Sequence, residues 1–190
     1  VIYAGQGVHY AQAWPELKEL AETWNIPVTT SIEGKSAFPE NHPLSLGSGG
    51  RSLPRNVHEF LRDSDVILGI GCSFALTAFG VQMPKGKTII HATLDPMDLN
   101  KDVPVQHALV GDAKLTLQGL IAEMDQLPKT TAEARKEAIP ARIKETKAAW
   151  LAEWMPKLTN NEAPISPYRV IWDLLHTVDR DNTVITHDAG

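Results

Sequence analysis

The chain has 190 residues, of which 43% are hydrophobic and 22% are charged, a composition typical of an ordinary globular domain. Its net charge of −5 gives no reason to expect nucleic acid as a partner, and no apolar run approaches the ~20 residues that a membrane-spanning helix needs. The single cysteine, Cys72, excludes an internal disulfide and a CxxC zinc site, and it favours a reducing, cytoplasmic compartment.

The first fifty residues predict a β-α-β unit followed by a glycine-rich loop. Residues 1–4 form a short apolar strand, and apolar residues at helical spacing predict a helix over residues 11–24. Pro27 blocks that helix, and residues 28–31 are the second strand, so the two strands should be parallel. Residues 34–50 predict a loop, which either approaches a ligand closely or is a flexible surface segment.

The middle of the chain continues the alternation of helix and strand. Residues 56–62 have the apolar spacing of a short helix. Residues 66–71 are almost wholly apolar, which is typical of a strand covered on both faces of its sheet. An irregular loop over residues 72–80 follows, and residues 88–95 predict a further strand that ends at Pro96.

A short strand over residues 108–110 and a helix capped by Asp112 complete this unit. Alternating strands and helices predict an α/β fold, specifically an open doubly wound parallel sheet of the Rossmann-like kind. We assign residues 1–127 to this domain and interpret it as a central nucleotide-binding-like domain.

Residues 128–164 are interpreted as a linker that contains one helix. Residues 129–138 are polar and lack a strong pattern, so they should be mobile or protease-sensitive. Residues 141–154 predict a helix that carries Trp150 and Trp154, and this helix should pack on a neighbour because two exposed tryptophans are unfavourable.

Residues 165–190 are interpreted as the truncated start of a further α/β domain. Ser166 followed by proline predicts the start of a helix, and residues 183–188 predict a strand. The chain opens and closes on predicted strands, so we expect it to be an excerpt from a longer protein, trimmed at both ends.

Three glycines and one acid mark a candidate ligand site. Gly5 and Gly7 follow the first strand like half of a GxGxxG phosphate loop, Gly71 closes a second strand, and Asp95 ends a third. Ligands of parallel α/β sheets bind at this edge, where glycine loops present amides to a diphosphate and an acid accepts ribose hydroxyls. A tight turn explains Gly5 and Gly7 about as well, and Asp95 alone could only cap its turn, but the convergence of these residues on one sheet edge favours a nucleotide-type pocket.

The sequence contains no self-contained catalytic constellation and no metal motif. Its seven histidines lack the spacing of a metal site, and His91 is predicted to be a core histidine because it lies within a strand. Cys72 has no base near it in sequence, and no GxSxG motif occurs. His187 and Asp188 could form one part of a site completed elsewhere.

Five stretches, in this order, are similar to segments of one enzyme family. They resemble the thiamine-diphosphate-dependent enzymes of the acetolactate synthase, pyruvate oxidase and decarboxylase type, in the central domain and at the start of the diphosphate-binding domain. The stretches are residues 34–47 (GKSAFPENHPLSLG), 64–74 (SDVILGIGCSF), 88–101 (TIIHATLDPMDLNK), 110–114 (VGDAK) and 186–190 (THDAG).

The resemblance implies a six-stranded central domain in a dimeric or tetrameric lyase or transferase that acts on a 2-keto acid. In that family thiamine diphosphate, held with Mg²⁺, attacks the keto acid, and decarboxylation, carboligation or both follow. Only Ala189 and Gly190 match a family segment that approaches the cofactor diphosphate. The thiamine-activating glutamate and the metal-binding GDG…N motif of the family have no counterpart in this sequence, so we expect the chain alone to be inactive.

The resemblance leaves the ligand of the central domain open, because family members bind FAD, ADP, a coenzyme A portion or nothing there. The acetolactate synthase group has an arginine before the phenylalanine and two acids after it, where this chain has Ser73-Phe74-Ala75-Leu76. We therefore expect an adenine nucleotide such as ADP to bind better than full FAD, with an empty pocket as the alternative. A free-standing nucleotide-binding module without catalysis and a purely structural assembly domain are the competing interpretations.

Overall fold

The computed structural model describes residues 1–186, and its internal contacts divide the chain into two units, Val1–Lys147 and Ala148–Gly190. None of the helices in this described part is long and apolar enough to cross a membrane. The boundaries that the sequence suggests near residues 127 and 164 stay a prediction, since the first unit continues to Lys147.

Six parallel strands form the sheet of the first unit. They are β1 (Ile2–Ala4), β2 (Val28–Thr30), β3 (Ser45–Ser48), β4 (Val66–Ile70), β5 (Thr88–Thr93) and β6 (His107–Val110). Their order across the sheet is β3-β2-β1-β4-β5-β6, and every neighbouring pair is parallel. The predicted open parallel α/β sheet is therefore confirmed.

Seven α-helices and one 3₁₀ turn, Pro96–Asp98, are described. The helices are α1 (Gly7–Tyr10), α2 (Trp14–Trp24), α3 (Arg55–Asp63), α4 (Ala113–Met124), α5 (Thr130–Arg135), α6 (Ala138–Leu158) and α7 (Pro167–Thr177). The predicted N-caps are confirmed, because Asp112 accepts from the amides of Lys114 and Leu115, and Ser166 accepts from the amide of Tyr168.

Two apolar cores cover the two faces of the sheet, because successive side chains of a strand point to opposite sides. Ile2 and Ala4 of β1 belong to one core, together with buried residues of α2 and α4. Tyr3, between them, belongs to the other core with buried residues of α3 and Ile143 of α6. Full burial of one such aliphatic side chain contributes about 1.5–3 kcal/mol towards folding.

Strand β3 lies where the sequence predicts a loop, and that prediction is wrong for Ser45–Ser48. The segment pairs with β2 in parallel, with a register shift after Val28. The hydroxyl of Thr29 donates to the carbonyl of Gly47 at 2.8 Å, and Gly47 has a φ of +83°. Serines and glycines are poor strand formers, so pairing with a neighbouring strand overrides local propensity here.

The predicted helix over residues 11–24 begins later and follows a separate single turn. Gln12, with a φ of +52°, separates α1 from α2, and Pro15 occupies the first turn of α2. Val8 of α1 is fully buried and belongs to the same core as Leu17 of α2.

Residues 129–138, interpreted from the sequence as part of a linker, contain a helix, and their mobility stays a prediction. Helix α5 occupies most of this segment, and its Ala132 is only 1% exposed. The side chain of Asn25, which follows α2, donates to the carbonyl of Ala132 at 3.0 Å. The small side chain of Ala132 is the buried contact of this helix. Because the segment has no apolar stripe, its hydrophobic periodicity does not predict a helix.

The second unit contains the end of α6 and helix α7. Trp154 lies 6.1 Å from Trp150 and 5.2 Å from Tyr168 between ring centroids, so the tryptophan pair packs on α7, as a helix with two tryptophans requires. Residues 183–186 form no strand, so the predicted last strand is wrong over them, and residues 187 and 188 lie outside the described residues.

Candidate ligand site at the carboxyl edge of the sheet

The strand order reverses between β1 and β4, and a cleft of about 640 Å³ opens at their carboxyl ends. The chain leaves β1 in one direction and β4 in the other, so a crevice forms at this point of the sheet. Segments that follow β1, β2, β4, β5 and β6 all contribute residues to the cleft walls. We call it the carboxyl-edge cleft.

The structure brings four of the six predicted site residues together. Gly5, Gly7, Gly71 and Asp95 all line the carboxyl-edge cleft, although they follow three different strands. Ala189 and Gly190, the other two, lie outside the described residues. The binding role of all six stays a prediction.

The glycines lie where two turns cross at close range. The amide of Gly5 donates to the carbonyl of Ile70 at 2.9 Å, and the amide of Gly7 donates to the carbonyl of Gly71 at 2.8 Å. A Cβ on Gly5 would meet the Gly71 carbonyl and lie 2.6 Å from the Cα of Cys72. These glycines are therefore required by the crossing itself, and the two amides that the sequence assigned to a diphosphate are used within the protein.

Asp95 caps its turn, as the sequence suggests, and it also lines the cleft. Its Oδ1 accepts from the amide of Met97 at 2.9 Å and caps the 3₁₀ turn, while the residue also lines the cleft. A carboxylate has two oxygens, so a cap uses only part of its capacity to accept hydrogen bonds.

The rings of Tyr3 and Phe74 form part of one wall of the cleft, and the buried ring of His91 packs against Phe74 from behind it. Phe74 lies 5.6 Å from Tyr3 and 4.7 Å from His91 between ring centroids, and it holds a φ of +50°. A Cβ on Gly69 would overlap the Phe74 ring, so the glycine makes room for it. A non-glycine residue at positive φ is uncommon and strained, and here packing on both sides of the ring keeps it in place.

His91 and Cys72 are buried next to this wall and are not poised for catalysis. His91 is 0% exposed, as predicted for a core histidine, and its Nε2 donates to the carbonyl of Cys72 at 2.7 Å. Its Nδ1 is buried without a hydrogen-bond partner. Burial raises the pKa of the Cys72 thiol to about 12, so this cysteine stays protonated and is a poor nucleophile.

Four carboxylates line the cleft, and sequence reasoning assigned only one of them to the site. They are Glu33, Asp95, Asp98 and Asp112, and no lysine, arginine or histidine is among the described residues that line it. Asp112 follows β6 as Asp95 follows β5, so the rule that located Asp95 could have located it as well. In the described part of the chain, no group of three or more His, Cys, Asp or Glu residues could hold a metal ion.

Comparison with known proteins connects this architecture to one family. The model of the thiamine pyrophosphate enzyme central domain matches residues 1–120. Two proteins described as "Probable acetolactate synthase large subunit", from Methanococcus aeolicus and Methanocaldococcus jannaschii, are 34% and 36% identical over 203 and 198 aligned residues. A sulfoacetaldehyde acetyltransferase from Roseovarius nubinhibens is 33% identical over 210 residues.

The three alignments include all of this chain but only 33%, 32% and 34% of the relatives, so the chain spans about a third of their length. The central-domain match covers well over half of the chain and coincides with the parallel sheet and its cleft. The chain therefore belongs to the thiamine pyrophosphate enzymes, through their central domain.

Proposed function

We propose that this chain is part of a longer thiamine-diphosphate-dependent enzyme that acts on a 2-keto acid by decarboxylation, carboligation or both. The observation that carries the proposal is the central-domain match over residues 1–120. The printed names of the relatives, acetolactate synthases and a sulfoacetaldehyde acetyltransferase, support a transferase or lyase of this kind. In this proposal the chain alone is inactive, and the whole enzyme is a cytoplasmic dimer or tetramer.

The described residues support a structural and ligand-binding role for this part of the enzyme. They contain no metal-holding group, and the thiol in the cleft wall is protonated. Thiamine diphosphate and Mg²⁺ would then be held by Ala189, Gly190 and residues beyond this sequence, as the family resemblance implies. The carboxyl-edge cleft would hold the adenosine part of a nucleotide, with Asp95 as acceptor for ribose hydroxyls.

A free-standing nucleotide-binding module without catalysis is the second candidate function. The cleft favours it, because it lies at the switch point where dinucleotides bind in folds with this strand order and is complete within the first unit. Both candidates assign the same kind of ligand to the cleft. They differ in whether the full gene product is a thiamine-dependent enzyme.

Turnover assays with pyruvate, thiamine diphosphate and Mg²⁺ test the proposal on two proteins, this chain and the full product of its gene. We expect no turnover by the 190-residue chain, because it lacks the activating glutamate and the metal motif. We expect cofactor-dependent turnover of pyruvate or another 2-keto acid by the full product. Turnover by the chain alone would contradict the first expectation, and a full product inactive on a panel of 2-keto acids would favour the second candidate.

A further inference from the structure

We propose that the carboxyl-edge cleft selects an uncharged, hydroxyl-bearing ligand with an aromatic end, such as a nucleoside, and disfavours the diphosphate group of ADP or FAD. The inference rests on the proposed function only in taking this cleft as the ligand site of the central domain. It narrows the expected class of ligand from nucleotides to nucleosides, because the residues present do not fit a diphosphate.

The backbone amides of the glycine turns are already hydrogen-bonded within the protein. A glycine loop binds a diphosphate through free backbone N–H groups. Here the amides of Gly5 and Gly7 donate to the carbonyls of Ile70 and Gly71 at 2.9 and 2.8 Å. Releasing either amide would break the crossing between the β1 and β4 turns, so these two donors are not available to a ligand.

The charged side chains that line the cleft are acidic. Glu33, Asp95, Asp98 and Asp112 line the cleft, and no cationic side chain does so among the described residues. Two lysines that follow lining residues closely in sequence have carboxylate partners, since Lys35 contacts Glu40 and Lys114 lies 3.5 Å from Glu16. A phosphate entering the cleft would therefore meet uncompensated negative charge at close range.

The cleft offers free carboxylate oxygens and an apolar part of its wall. Carboxylate oxygens accept hydrogen bonds from hydroxyls, and Asp95 and Asp112 each have an oxygen that their caps do not use. Phe74, Val81 and Met83 supply an aromatic and apolar part of the wall. A nucleoside combines hydroxyl donors with a flat, largely apolar base, which are the two kinds of group that this lining can accept.

Calorimetry on the 190-residue chain with adenosine, ADP and ADP plus excess Mg²⁺ tests the inference. We expect adenosine to bind at least about tenfold more tightly than ADP at low salt, and Mg²⁺ to recover part of the loss by neutralising the diphosphate. Raising the salt to 0.5 M should shrink the ratio, because screening weakens repulsion between partly solvated charges.

A matched pair of variants locates the effect. Glu33→Gln removes one cleft charge and should tighten ADP binding about threefold relative to adenosine at low salt. Glu123→Gln makes the same chemical change on an exposed position of α4 outside the cleft and should leave the ratio unchanged. Thermal unfolding of both variants checks that they fold.

Three outcomes would overturn the inference: ADP binding as tightly as adenosine, equal effects of the two variants, or no binding of adenosine at millimolar concentration. None of these outcomes bears on turnover by the full gene product. Failure here and failure of the proposed function are therefore separate results.

Discussion

The two edges of the sheet use acidic side chains in different ways. At the amino edge, a second cleft of about 440 Å³ contains Asp63, which accepts from Arg62 at 2.7 Å and is paired with Arg142 of α6. At the carboxyl edge, within residues 1–186, Asp95 and Asp112 accept from backbone amides alone, and no cation joins them in the cleft lining. Charge at the amino edge ties α3 to α6, whereas charge at the carboxyl edge is bound to backbone amides of its own turns.

The largest expected effect is at the crossing of the carboxyl edge. Gly5→Ala places a methyl group against the backbone of Gly71 and Cys72, which cannot move without separating two strands. We expect a loss of about 4 kcal/mol or more in the free energy of unfolding, measured by urea denaturation.

Gly119→Ala is the control for this substitution. A Cβ on Gly119 would meet nothing within 4 Å, and the residue lies inside α4. That variant should be stabilised by about 0.5–1 kcal/mol. Equal stability of the two variants would show that the crossing tolerates a side chain and that the glycines serve another purpose.

A smaller loss of stability is expected when Phe74 is replaced. Phe74→Ala should destabilise the protein by about 3 kcal/mol through the cavity it leaves. Phe74→Gly should be about 1 kcal/mol less destabilising than the alanine variant, because glycine adopts the φ of +50° without strain.

Phe60 lines the amino-edge cleft from within α3 and provides the comparison. Glycine is unfavourable inside a helix, so Phe60→Gly should be about 1 kcal/mol more destabilising than Phe60→Ala. Chemical denaturation of the four variants measures both differences. The same rank order at the two positions would mean that Phe74 is not strained.

The smallest effect is the pH dependence of the amino-edge ion pairs. The hydrogen bond from Arg62, followed by that from Arg142, lowers the pKa of Asp63 from 3.8 to about 2. A depressed folded-state pKa stabilises the protein above about pH 4, and this contribution is lost as the pH falls from about 4 to about 2.

The urea midpoints of the parent and Asp63→Asn should therefore differ at pH 6 and converge towards pH 2. The corresponding difference in the free energy of unfolding at pH 6 should stay below about 1 kcal/mol, because this side chain is partly exposed and solvent screens it. Midpoints equally far apart at both pH values would show that the variant acts through something other than charge.

The sequence predicted strands and their shared edge where a single local property, such as an apolar run that ends in glycine or proline, determines them. Apolar runs that end in glycine or proline located β4 and β5, and the parallel-edge rule predicted that Gly71 and Asp95 would share a cleft. Strand β3 was missed because its pairing with β2, and not its composition, makes it a strand. The hydrogen-bond partners of the Gly5 and Gly7 amides could not be predicted for a similar reason, since only the three-dimensional crossing shows which carbonyls they meet.

The central position of β1 has a consequence for how the protein is made. Ile2 pairs with Val28 on one side and with Leu68 on the other, so this early strand needs a partner that is translated much later. Until residue 71 has left the ribosome, β1 has one open side and the turn at Gly5 has no carbonyl to receive its amide. We therefore expect this sheet to fold slowly, because its central strand pairs across a long stretch of sequence whose loop-closure entropy opposes the contact.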